Sequence, residues 1–461
     1  MVLQKAYIAC LNFIYDRKIR YIRKKTRRTV LWTVFLVLSL YFILLFSNVF
    51  YRGVLFTNNQ REIFMSVLLL TATVFSMDGE LKPVEWNKWV ALLTILGGAG
   101  LIFIRILHPI GDGYLIFGVM LLTVYPAFYL VWNGRKDYET LFDIIAGANL
   151  TVGFTYSLII FLKGAGTYIP ELFDRRYRGT TWNANLFSMI GLTVLCCSLY
   201  LLYRNRKERK KIPLFLLMSA MGLIVILLGK SRASIVIAMF AIASVVIFAL
   251  KQKTIKRLSN RGKSVLILVL LLMCTVCAVF IFRSASAENT PEETNPKAIS
   301  QRFSTEGKDA DEFTSGRLSM WKIYAGMLNL TGNDVDAIDW DSLPVSQAAH
   351  CHNNFLEYGY RCGVPVSLIF TALELFACMI GFLYLFSRRF KRDALLFPII
   401  FTEMYFVNSL IDIATLPCER YAPFFFYLIL AIMIDPRPNA EREEKHKEKP
   451  RVIYRDSNNP V

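Results

Sequence analysis

An all-α polytopic membrane protein, with about twelve transmembrane helices and one large extracytoplasmic loop, is the fold the sequence predicts. Three observations predict it. Of the 461 residues 55% are hydrophobic, and the mean hydropathy is +0.42, which excludes an ordinary soluble domain. The apolar residues gather in runs close to the roughly 20 residues that a helix needs to cross a bilayer. Lys and Arg gather in the short segments between alternate runs, the pattern of a positive-inside topology.

The chain opens on a basic segment, 1–28. Residues 5–24 mix Tyr7, Ile8, Leu11, Ile14 and Tyr15 with Lys and Arg, which suits a helix lying on the inner leaflet. Arg17 to Arg28 runs into the first apolar stretch with no small-residue cleavage site, so that stretch reads as an anchor and not as a cleaved signal. Spans are expected at 29–50, 62–78, 88–107, 113–133, 140–162, 183–203, 212–229, 232–250 and 264–283, which makes 29–283 a block of nine. The segment 284–363 is long, polar and acidic on balance, and forms the large loop. Spans at 364–386, 394–411 and 421–435 follow. The tail, 436–461, mixes acids with bases and reads as disordered.

With the N-terminus in the cytoplasm, roughly two thirds of the 53 Lys and Arg fall inside. Arg204 to Lys211, Lys251 to Lys263 and Arg388 to Arg392 are among them. An odd number of spans would break this pattern, so both termini are expected in the cytoplasm and the large loop outside. The net charge of +18 is then a topology signal. Its carriers sit beside membrane ends, which argues for the lipid bilayer and against nucleic acid as a partner.

The nine Cys are scattered, mainly in spans. Cys274 and Cys277 form a CxxC in apolar surroundings without His, which fits core packing better than a metal. Cys351 and Cys362 both fall on the expected outer side, where a disulfide can form in an oxidising compartment.

Four places carry candidate chemistry. Lys230-Ser231-Arg232 is a tight turn between spans seven and eight on the outer side. It reads either as a snorkelling anchor or as an anion site. Two facts favour the anion: the outer side disfavours basic residues, and Arg232 begins a helix, where the dipole opposes a cation. A bound anion resolves both. Arg317 precedes Leu318, Trp321 and Tyr324 at helical spacing, with Thr314 or Ser315 as cap, so the loop holds an amphipathic helix. There Arg317 either binds a ligand or pairs with one of the loop's acids. His352, with His350 nearby, sits just before Asn353, and a neutral imidazole can take a proton from a hydroxyl. A hydrogen-bonded structural His at a helix start is the alternative. Gly359 and Gly363 permit close helix approach. Finally, Glu374 and Glu403 lie at mid-depth in spans, either serving a site or sitting protonated between helices.

These residues resemble the O-antigen ligase and O-antigen polymerase superfamily of bacterial envelope glycosyltransferases. Its motif of His, then Asn, Ser or Gln, nine residues and Gly is matched by His352-Asn353 and Gly363; three further on, where the family has Gly, Thr or Tyr, this chain has Val366. A Ser-Arg at the outer start of a central span is matched by Ser231-Arg232, and a Gly-Arg-x-x-x-Trp helix by Gly316-Arg317 and Trp321. An upstream Arg…Gly-Thr…Asn-x-Asn stretch is matched by Arg178-Gly179-Thr180 and Asn183-Ala184-Asn185. The family's Gly-x-Gly before the His is missing; Leu330-Thr331-Gly332-Asn333 stands in its place.

The resemblance implies a GT-C-like fold in the bacterial cytoplasmic (inner) membrane. It also implies inverting transfer from a polyprenyl-diphosphate-linked glycan donor to a saccharide or lipid-glycan acceptor. Arg232 and Arg317 would clamp the diphosphate, His352 would act as base, and Asn353 would orient His352 or the acceptor. Lys230, Arg178, Asn183 and Asn185 would contact substrate. Neither a metal nor another cofactor is expected. A flippase or other transporter of lipid-linked oligosaccharide is the reading from a different class. It would show internal repeats and midplane sites, of which only Glu374 and Glu403 offer a trace.

Overall fold

The computed structural model describes residues 2–47, 58–81, 83, 87–107, 112–134, 138–165, 176–251, 317–334, 337, 351–387, 390, 392–412 and 415–433. Among them every regular element is helical. In chain order the helices are α1 (Val2–Arg17), α2 (Lys24–Phe46), α3 (Asn58–Phe75), α4 (Lys88–Leu107), α5 (Asp112–Leu122), α6 (Val124–Gly134) and α7 (Tyr138–Ala165). Then come α8 (Ala184–Arg204), α9 (Ile212–Gly229), α10 (Arg232–Lys251), α11 (Arg317–Gly326), α12 (Asn354–Phe386), α13 (Leu396–Ile411) and α14 (Tyr421–Met433).

Eleven of the twelve expected spans have a helix in place. Nine, among the described residues, are long and apolar enough to cross a membrane; α3 and α14 occupy two further positions. The expected span at 264–283, the CxxC at Cys274 and Cys277, the tail and most of the large loop lie outside the described residues. The exterior carries Leu92, Ile95 and Phe103 on α4 and Leu368, Leu375 and Phe382 on α12, a lipid-facing surface and not a water-facing one.

Three elements differ from the expected pattern, each for a local reason. The fourth span is two helices that meet at Thr123, because the ring of Pro126 crowds the carbonyl four residues earlier. The tenth span, expected at 364–386, is preceded by a short helix that starts at Asn354, and the two join in a bend at Gly363 (φ 80°, ψ 156°) with Pro365 beside it. The final helix, α14, has 13 residues, all buried. It rises about 20 Å, less than the roughly 30 Å hydrocarbon core, and runs enclosed by the other helices. Phe425 packs against Phe401 with ring centres 4.1 Å apart, and Phe426 stacks on Tyr405 at 4.0 Å.

The helix nearest the centre after α14 is α8, which packs along α9. A Cβ on Gly191 or on Gly222 would lie 2.8 Å from the other's carbonyl oxygen, so the two backbones touch, the usual way for helices to approach in lipid. The mid-depth acids are tied between helices. Ser409 of α13 donates to Glu374 of α12, and Ser244 of α10 donates to Glu403 of α13.

Candidate functional site

One end of the bundle gathers the C-terminal ends of α2, α9 and α13 and the N-terminal ends of α8, α10 and α12. Backbone and side-chain bonds join them. Trp182 N–H donates to Phe46 O at 3.1 Å and Tyr177 N–H to Leu228 O at 3.0 Å. Asn353 Nδ2 donates to Leu410 O at 3.2 Å.

His352 stands at this end, in the strand of chain just before α12. Its φ of 53° is left-handed, a conformation that costs a non-glycine residue about 1–3 kcal/mol and that its partners must hold. The Asn353 side chain caps α12 by accepting from Phe355 N–H (3.0 Å) and Leu356 N–H (3.1 Å). The cap fixes where α12 starts, directly after His352.

The imidazole meets a residue that the sequence reading missed. His352 Nδ1 lies 3.1 Å from Asp412 Oδ1, with side-chain exposures of 36% and 17%. Such a pairing sets the ring's orientation and keeps the proton on Nδ1, which leaves Nε2 as the acceptor. The chain after Asp412 is held by buried tyrosines. Tyr358 donates to Thr415 O at 2.7 Å and Tyr41 to Cys418 O at 2.8 Å. Asp412 gave no signal in the sequence beyond being an acid at the end of span eleven.

Cations converge on the same place. Lys230 is buried and ends α9 in a left-handed turn (φ 49°). Ser231 Oγ accepts from Ser234 N–H at 3.4 Å, so it caps α10 and puts Arg232 in the first turn. Burial pulls the Arg317 guanidinium down from its usual range; Asp412 favours its charge and Arg232 opposes it. Among the described residues, Asp412, from beyond the loop, is an acid that favours the Arg317 charge. Arg176 is likewise pulled down, first by burial and then by Arg232.

The upstream stretch adds a second arginine to those expected. Arg178 is exposed. It is Arg176 that reaches inward, donating from Nη2 to Asn185 Oδ1 at 2.5 Å and from Nε to Gly229 O at 3.2 Å. Asn183 caps α8 through Asn185 N–H at 2.8 Å. Of the Asn-x-Asn pair, one side chain starts a helix and the other holds an arginine. Spacing alone could not separate Arg176 from Arg178; the contact with the end of α9 does.

His350 and the Thr314 and Ser315 caps fall outside the described residues. Cys351 and Cys362 are free, buried thiols, and the Cys351 Sγ–H points to Asn353 O at 3.1 Å. No group of three or more His, Cys, Asp or Glu that could hold a metal ion occurs among the described residues.

Residues 214–371 match the family model of O-antigen ligase. The matched stretch contains Lys230, Arg232, Arg317, His352, Asn353 and Gly363, and it supports the O-antigen ligase and polymerase superfamily that the motifs resemble. Arg176 and Asp412 lie outside it. Among curated proteins none matches the chain. The match and the apolar helices together indicate a bacterial membrane protein with a ligase-type or polymerase-type relation to lipid-linked glycans.

Proposed function

We propose that this end of the bundle transfers a glycan from a polyprenyl-diphosphate donor to an acceptor hydroxyl, at the outer face of the cytoplasmic membrane. The observation that carries the reading is the meeting of Arg232, Arg317, His352 and Asp412 from four separate stretches of chain. Partly desolvated cations that repel one another are costly to keep together, and a multiply charged anion relieves that cost. A diphosphate supplies such an anion, and guanidinium forks match its oxygens.

The steps balance. His352 Nε2 takes the proton of the acceptor hydroxyl, while Nδ1–H stays with Asp412. The acceptor oxygen attacks the anomeric carbon from the side opposite the diphosphate. The carbon–oxygen bond to the diphosphate breaks, and its electron pair leaves on that oxygen. Arg232 and Arg317 stabilise the charge as it develops, so a single displacement inverts the anomeric centre. The arginines supply the positive charge that a metal would otherwise bring. Arg176, on which Arg232 acts, and buried Lys230 add positive charge to the site, and exposed Arg178 would meet the glycan. Asn183 and Asn185 serve indirectly, through the helix start and Arg176. The transporter reading loses support, because Glu374 and Glu403 each accept a hydroxyl from a neighbouring helix.

The test uses purified protein in proteoliposomes with lipid-linked glycan extracted from the host's own membranes. His352→Ala is expected to bind the donor and to slow transfer by about 10²–10⁴-fold, the range for loss of a general base, while His350→Ala stays much milder. Transfer is expected to persist in a chelator. Equal loss in both His variants, or transfer that stops with the chelator, would overturn the assignment.

A further inference from the structure

The segment from Arg317 to Asn333 is fastened to α12 at two points, one at each end of the short helix between Asn353 and the bend at Gly363. At the first, Trp321 Nε1–H donates to Cys351 O at 2.8 Å. Cys351 is the residue before His352, and Trp321 lies one helical turn beyond Arg317, on the same face of α11. Met320, Tyr324, Cys351 and Tyr360 form a small apolar cluster of their own under this contact, with the Tyr324 and Tyr360 rings 4.7 Å apart.

The second fastening repairs a broken helix. In an unbent α-helix the Val364 N–H would donate to Tyr360 O, four residues earlier. The bend at Gly363 parts them, and buried unpaired backbone groups are costly. Val364 N–H donates instead to Asn329 O at 2.9 Å. Tyr360 O accepts from Asn333 N–H at 2.8 Å and from Asn333 Nδ2 at 2.9 Å. Pro365, which has no N–H, leaves Arg361 O without its helical partner, and Gly332 packs against that carbonyl. A Cβ on Gly332 would lie 2.3 Å from Arg361 O, and one on Gly363 would lie 2.3 Å from Leu330 O. Gly332 (φ 83°) and Gly363 (φ 80°) are both left-handed. Leu330 to Asn333 is thus the segment the bend was built to receive.

We infer that Trp321 and Asn333 are positioning residues, which clip the arm bearing Arg317 to both ends of the short helix that directly follows His352 and so set the spacing between cation and base. The inference rests on the proposed transfer chemistry. Neither residue touches substrate in this account; each acts through Arg317 and His352. A displacement of about 1 Å between reacting groups can cost about 10²-fold in rate.

Trp321→Phe keeps a ring in the cluster and removes the N–H. Asn333→Ser removes the Nδ2 bonds at the other clip. In the proteoliposome assay each is expected to slow transfer by about 10–10²-fold. Binding of undecaprenyl diphosphate, the probe for the donor head group, is expected to change by less than about threefold, because the arginines remain. The deciding measurement is a double-mutant cycle. In an Arg317→Lys background, where the fork is already lost, Trp321→Phe is expected to cause less than about a third of its wild-type loss, since residues that act as a unit are not additive. An additive loss, or a loss that tracks the melting temperature of the purified variants, overturns the inference and makes the clips merely structural. Should Trp321→Phe fail to purify, Asn333→Ser carries the same cycle. Full activity in both His352→Ala and Arg317→Ala would instead remove the proposed function itself, a result these clip variants cannot produce.

Discussion

At the residue scale the chemistry turns on Asp412. Its carboxylate faces His352 Nδ1 and also favours the charge on Arg317, so in the proposed transfer one side chain would serve both the base and the clamp. Asp412→Asn keeps an oxygen but loses the charge that stabilises an imidazolium, and it allows the other tautomer. Transfer is expected to fall by about 10²-fold or more in initial rate, the direction seen when the acid of an acid–histidine pair is neutralised. A rate within about threefold of wild type would show that the pair is not used in turnover. For the cations, Arg232→Lys and Arg317→Lys are expected to transfer little better than the corresponding Ala variants, because an ammonium cannot reproduce the two-pronged contact. Full transfer with Lys would reduce the requirement to charge alone. At this scale the sequence was partly legible. His352, Arg232 and Arg317 were recognisable as candidates because His is rare here and because basic residues on the expected outer side of a membrane ask for a reason. Asp412 and Arg176 were not, since each is defined only by contacts made across the bundle.

At the element scale, the spacing from His352 to Gly363 has a physical meaning. Asn353 caps the helix, nine residues make about two and a half turns, and Gly363 bends it. That the helix begins before the bend could not be read from hydropathy, because residues 354–362 are too mixed to resemble a span. Gly363→Ala is expected to destabilise the protein by at least about 1–3 kcal/mol from its backbone conformation alone, with the contact to Leu330 O in addition. Gly326→Ala is the matched control. A Cβ there meets nothing within 4 Å, and the change is expected to be neutral or slightly stabilising. Melting temperatures in detergent distinguish the two, and equal shifts would remove the special role of the bend. Asn353→Ala is expected to cost about 1 kcal/mol through the lost cap.

At the scale of the whole molecule, the alternation of spans was legible because hydropathy and Lys and Arg placement report the same constraint from opposite sides. Depth within the bundle was not, since lipid-facing and protein-facing apolar residues read alike. Cysteine-accessibility labelling of intact cells is expected to reach residues 290–345 but to reach Arg204 to Lys211 only after lysis; the reverse would put the Arg–His site on the wrong side for its donor. The enclosure of α14 bears on biogenesis. Tyr421–Met433 leaves the ribosome after every helix that surrounds it, yet its 13 side chains are all buried. The described helices around it therefore lack a central packing partner until α14 docks among them.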